Sequence, residues 1–149
     1  QDKKIVFSTH AKIGFITNKN IDDFFHFFGG GLPGLRGYTF YDSTITGSQL
    51  LINSFYIRMP IVLEKNYKLM HLNFQNLSIG SVFQVGGGFN KLLKHWINTK
   101  RYKLSSGIEI RLSGFSFYAY PIALTYEYHI PIDDLDKTGK NYFTILFEY

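Results

Sequence analysis

Apolar and polar residues alternate with a period of two in six stretches of this chain, the pattern of β-strands that bury one face. Over residues 4–17, Ile5, Phe7, Thr9, Ala11, Ile13 and Phe15 share one face, while Lys4, Ser8, His10, Lys12 and Gly14 fall with Val6 on the other. Further runs are predicted over about 48–62, 67–83 and 104–115, the last setting Ile108, Ile110 and Leu112 against Glu109, Arg111 and Ser113. In 123–131, Leu124, Tyr126, Tyr128 and Ile130 oppose Thr125, Glu127 and His129. The final run, "NYFTILFEY" (141–149), sets Phe143, Ile145, Phe147 and Tyr149 against Thr144, Leu146 and Glu148. Within 67–83 the apolar parity switches after Phe74. A bulge near Gln75 and Asn76 produces such a switch, and a shifted register is the alternative.

The connections predicted between runs alternate in length: long over about 18–47, 84–103 and 132–140, short over 63–66 and 116–120. Successive antiparallel strands send their connections to opposite ends, so the long loops gather at one end and the short turns at the other. Outer-membrane barrels have this asymmetry. A soluble sandwich alternates equally well, because its strands show polar residues to water. Period and loop length leave the two open. Six strands with a charged inner face cannot close a barrel by themselves, so a barrel reading requires roughly ten more strands from another part of the protein or another chain.

Composition supports the all-β class. Aromatic residues make up 18% of the 149 residues, and charged residues only 18%, leaving an unusually apolar surface. The net charge of +5 is spread along the chain except for Lys91, Lys94, His95, Lys100, Arg101 and Lys103, around the only tryptophan, Trp96. That cluster reads first as a solvated loop and second as a contact for anionic glycolipid or phosphate; nucleic acid is not expected. With no cysteine there is neither a disulfide framework nor a thiolate metal site. No apolar run approaches the ~18 residues of a membrane helix. The opening "QDKKIVF" carries no signal peptide, which reads as a mature or excised chain.

Catalytic and cofactor signatures are missing. The glycine clusters lack the spacing of a nucleotide loop, and "DDLDKTG" (133–139) starts like a calcium loop but puts Ile145 where a bidentate glutamate is required. The histidines show no i,i+4 pair and no Gly-x-Ser-x-Gly elbow exists, so no enzyme activity, metal or cofactor is expected.

One segment stands out: "FFHFF" (24–28) running into "GGGLPGLRGY" (29–38). "FFGGGLPGLRGY", then "SFYIRMPI", "LSIGSVF", "SSGIEIRLS", "LTYEYHIPI" and a last strand ending in an aromatic, resembles the C-terminal barrel region of the bacterial surface-antigen superfamily of outer-membrane proteins. BamA-type insertases and two-partner secretion transporters belong to it. "FFGGGLPGLRGYTFY" and "FYAYPIALTYEY" look more like barrels that follow a β-propeller. The resemblance spans nearly the whole chain.

It implies an antiparallel transmembrane β-barrel of which residues 1–149 supply the C-terminal six of roughly sixteen strands. It also implies a loop, 18–47, folded back into the lumen. Leu35, Arg36, Gly37 and Tyr38 match the loop motif of that family, and Gly29, Gly30, Gly31 and Gly34 permit the sharp turns of a tucked loop. Arg36 is expected to pin the loop to the inner wall. Where the family has an aspartate and a glutamate this chain has Ser78 and Tyr56, so the expected partners of Arg36 are Glu127, after it Glu109, and then Ser78 and Tyr56 themselves. "FFHFF" is expected to pack on the barrel wall, with an aromatic girdle or a partner patch as alternatives. Phe143, Ile145, Phe147 and Tyr149 match the assembly signal of outer-membrane barrels, open to strand addition by assembly machinery. The implied setting is the bacterial outer membrane, with lipid, glycolipid, the remaining barrel strands and envelope or assembly proteins as partners. The implied function is the insertion or translocation of other polypeptides; the alternative is a structural barrel that anchors a propeller or envelope complex and transports nothing.

Overall fold

The computed structural model describes residues 4–17, 22–90, 102–117, 120–134 and 138–147. It is all-β. Six long strands form one antiparallel meander: β1 (Val6–Phe15), β4 (Gln49–Val62), β6 (Leu72–Phe89), β7 (Lys103–Ser116), β8 (Tyr120–Pro131) and β9 (Lys140–Phe147). β2 (Phe27–Phe28) pairs with β3 (Thr46–Gly47) inside the first long connection, and β5 (Tyr67–Leu69) folds back on the start of β6. Among the described residues the sheet is open, with β1 and β9 at its edges. It is also staggered. Val6 and Tyr142 lie on one cross-strand row, yet β1 runs from that row toward the long-loop end, and most of β9 lies on the other side of it. Stagger of this kind accompanies tilted strands in a barrel wall.

Each predicted run is a strand, with two corrections. The third run does not begin as one strand at residue 67: Tyr67–Leu69 and Leu72–Phe74 are the two arms of a hairpin, which preserves the alternation and hides the turn. The bulge falls at Gln75, between the pairs Phe74–Gly114 and Asn76–Ser113. The same strand also continues past residue 83 to Phe89, through Gly86, Gly87 and Gly88, which read as loop in the sequence. Glycine is required there by close approach: a Cβ on Gly88 would lie 2.6 Å from the Ile45 backbone.

The two faces of the sheet are opposite in character. One is covered near the long-loop end by residues 22–48, and Leu35, Tyr38 and Ile45 of that loop pack on Leu50 and Ile52 of β4 as a core no more than 3% exposed. The other face is open. It presents Phe7, Phe55, Ile57, Met59, Ile79, Phe83, Tyr126, Phe143 and Ile145, all exposed, and from Phe7 to Phe147 its strand positions carry no Asp, Glu, Lys or Arg. Along β7 the inversion is plain: Ile108 and Ile110 are 53% and 43% exposed, and Glu109 between them 2%.

The "FFHFF" segment divides. Phe27 packs over Gly14 of β1 and against the core, as wall packing requires. Phe24 and Phe25, in a one-turn 3-10 segment capped by the Asp22 side chain, are exposed, which corrects that expectation for two of the five residues.

Candidate functional site: a loop fastened to every long strand

The glycines of 29–38 build a tight fold. Leu35 N–H donates to Gly29 O at 2.6 Å and Gly34 N–H to Gly31 O at 3.1 Å, closing a compact turn that bridges Gly30 to Leu35. A Cβ on Gly30 would collide with the Thr39 carbonyl, and one on Gly34 with the Gly29 carbonyl. Gly31 and Gly37 take φ of 75° and 93°, the left-handed region that side chains disfavour. Asp42 caps the following 3-10 turn, accepting from Thr44 N–H at 3.0 Å. The sequence thus folds the loop locally and leaves Arg36, Gly37 and Tyr38 facing the sheet.

Those residues and the neighbouring Pro33 meet all six long strands. Lys12 of β1 donates to Pro33 O at 3.1 Å. Arg36 Nη1 donates to the Tyr56 hydroxyl of β4 and lies 3.0 Å from Glu127 Oε2 of β8. The backbone N–H of Arg36 donates to Gln84 Oε1 of β6 at 2.9 Å, and Gln84 Nε2 in turn donates to Ser54 Oγ at 2.7 Å. Gly37 N–H donates to the Tyr142 hydroxyl of β9 at 2.9 Å. Tyr38 donates its hydroxyl to Leu104 O of β7 at 2.9 Å, with Asp133 beside it. Burial, and next the Asp133 carboxylate, push the Tyr38 phenol well above the usual tyrosine range.

Beneath the loop the charges are paired. Glu109 and Glu127 sit directly across β7 and β8, an arrangement that repels unless each finds its own cation. Arg36 serves Glu127. Arg58 reaches over Gly80 to hold Glu109 with two bonds, 2.6 and 3.0 Å, and lies 4.5 Å above the Tyr56 ring. Side chains on Gly80 would crowd that path, since a Cβ there stands 3.1 Å from Arg58 Cγ. Glu127 Oε2 is also bonded by His129 Nε2 at 2.8 Å, and His129 Nδ1 faces Ser105 Oγ at 3.4 Å. Ser105 and His129 have no exposed surface, so this chain of bonds orients Glu127. A cleft of about 340 Å³ opens under the loop tip, lined by Ser8, Arg36, Arg58, Glu109, Thr125 and Thr144 among others. Among the described residues no group of three or more His, Asp or Glu is placed to hold a metal.

Of the four partners expected for Arg36, the structure brings two to it, Glu127 and Tyr56. Glu109 is held instead by Arg58. Ser78 stands away from the loop and donates to Arg111 O at 3.4 Å. Phe143, Ile145 and Phe147 lie on the open face of β9; Tyr149 and most of the basic cluster, Lys91 to Arg101, lie outside the described residues. Gln84, Tyr142, Lys12 and His129 were not among the expected site residues. Parity is a signal for Tyr142, which falls on the polar face of its strand, whereas Gln84 opens a stretch that reads as loop in the sequence.

No protein-family model matches this chain, and no curated protein or solved structure does either.

Proposed function

We propose that this chain is the C-terminal wall of a transmembrane β-barrel of the surface-antigen type in the bacterial outer membrane, and that the barrel inserts or translocates other polypeptides without a cofactor. One observation carries the membrane reading: along a single strand, Ile108 and Ile110 are exposed while Glu109 is buried. Water outside the sheet would favour the reverse, and lipid outside it favours this arrangement. The remaining strands come from another part of the protein or a partner chain and complete the wall at both edges.

Polypeptide handling draws support from the last strand. β9 is the shortest of the six long strands among the described residues, and its Tyr142 hydroxyl holds Gly37 of the loop. Release of that bond frees the seam beside β9 for strand addition by a client or by assembly machinery. The second reading, a barrel that only anchors an envelope complex, is favoured by the fastening of the loop to all six strands, which stiffens the wall.

The test compares vesicles with and without the reconstituted protein, offering each a urea-unfolded small outer-membrane barrel. Faster folding with the protein, faster again with Tyr142→Phe, supports polypeptide handling. Equal folding rates in a correctly inserted protein favour the anchor.

A further inference from the structure

The end of the sheet with the short turns carries a feature that neither the loop nor the wall uses. Among the described residues three non-glycine residues have positive φ: Glu64, Met70 and Phe117, at 57°, 52° and 50°, and all three lie in the turns at this end. Left-handed backbone at bulky residues is disfavoured and persists where neighbours enforce it. Here the enforcement is visible. Phe117 N–H donates to His71 O at 2.8 Å, and the His71 and Phe117 rings stack 5.0 Å apart at 16°, so the β5–β6 hairpin tip and the β7–β8 turn are joined into one tip.

What this joined tip displays is apolar. Met70 is 88% exposed and Phe117 64%, and Tyr67, Leu69 and Tyr120 beside them are exposed too. The patch adjoins the charge-free face: Tyr67 pairs with Phe74, which stands opposite Gly114 on a row where Phe74 and Ile122 are buried and Phe147 is exposed. Lys65 and Lys68, both exposed, flank it. The length of β6 places it. Eighteen residues of strand tilted by about 45° rise roughly 40 Å, beyond the ~30 Å hydrocarbon core of a bilayer. One end of β6 therefore reaches the headgroup region. Its other end, near Gly88, is covered by the loop.

We propose that the joined tip is an interfacial anchor. Leu69, Met70 and Phe117 seat at the boundary between headgroups and acyl chains, Tyr67 and Tyr120 lie at headgroup level, and the two lysines meet anionic phosphates. The tip fixes the depth of the wall in the leaflet on the short-turn side. This rests on the membrane reading, and the test separates the two.

The chain has no cysteine, so single Met70→Cys and Ile110→Cys variants of the whole protein are labelled with an environment-sensitive fluorophore. They are reconstituted into phosphatidylethanolamine vesicles with and without phosphatidylglycerol, some containing lipids spin-labelled near the headgroup or deep in the chain. The expected result is a blue shift at both sites, with position 70 quenched most by shallow labels and position 110 by deep ones. A Lys65→Glu/Lys68→Glu background is expected to lessen the shift at position 70 only in vesicles with phosphatidylglycerol. If position 110 is in lipid and position 70 is in water, the anchor is overturned while the barrel stands, and the tip is free or belongs to a protein partner. If both are in water, the anchor falls together with the membrane reading.

Discussion

Gln84 accepts the backbone N–H of Arg36 at 2.9 Å and so sets the loop at the height from which the guanidinium spans Tyr56 and Glu127. The side chain of Gln84 is 2% exposed, and its amide also serves Ser54 and, at 3.4 Å, Gly34 O. Gln84→Leu leaves a buried N–H and a buried hydroxyl without their partner, a loss of about 1–3 kcal/mol for each such group. Urea unfolding in detergent measures it, and a loss below that range would mean that the loop re-seats without Gln84.

Arg36→Ala strands Glu127, 4% exposed, as a buried charge. Removal of one member of a buried pair costs about 3–5 kcal/mol. His129, bonded to the same oxygen, offsets part of this, so the lower end is expected. In a double-mutant cycle with Glu127→Gln, coupling of about 1 kcal/mol or more is expected between residues in contact. Independent effects would break the link between loop and strand.

Gly34→Ala forces a methyl group against the Gly29 carbonyl, and the compact turn cannot close around it. The expected result is a loop cut by trypsin after Arg36 under conditions where the wild type is spared. The same cleavage pattern in both proteins would show that the turn is not what protects Arg36.

Tyr38 gives the loop an alkaline limit. Burial and Asp133 raise its folded pKa above the unfolded value, so its contribution is complete below about pH 10 and is lost as pH rises from there through the folded pKa. Loop opening above about pH 10, read by the same trypsin cut, should lose its steepest part in Tyr38→Phe. The mutant should also be less stable at neutral pH by about 1 kcal/mol for the lost bond to Leu104 O. An unchanged alkaline profile in Tyr38→Phe would assign the limit to another group.

Much of this was legible because pleated strands impose a period of two on any sequence they adopt. Alternation located the six long strands and set Glu127 on the polar face of its own strand, and the bulge at Gln75 is one of the two readings that the parity switch allowed. What it could not show was set by contacts across the fold. The loop backbone at Ile45 and Thr46 presses on Gly88, and Leu51 and Ile52 of β4 press on Gly86, and a glycine run carries no record of what presses. Gln84 went with those glycines. The hairpin at Tyr67–Leu72 leaves no mark in the pattern because both arms keep the parity of a single strand. Arg58 and Glu109 find each other across Gly80, a pairing between strands that are not neighbours.

The most direct test of the central claim is a single-cysteine spin-label scan over residues 106–113 of β7, omitting Glu109, in the reconstituted protein. Collision with lipid-soluble oxygen and with a water-soluble nickel chelate is measured at each site. Lipid outside the sheet predicts oxygen maxima at 106, 108, 110 and 112 and chelate contact favoured at 107, 111 and 113. Chelate maxima at 108, 110 and 112 would place water on the apolar face and contradict the barrel.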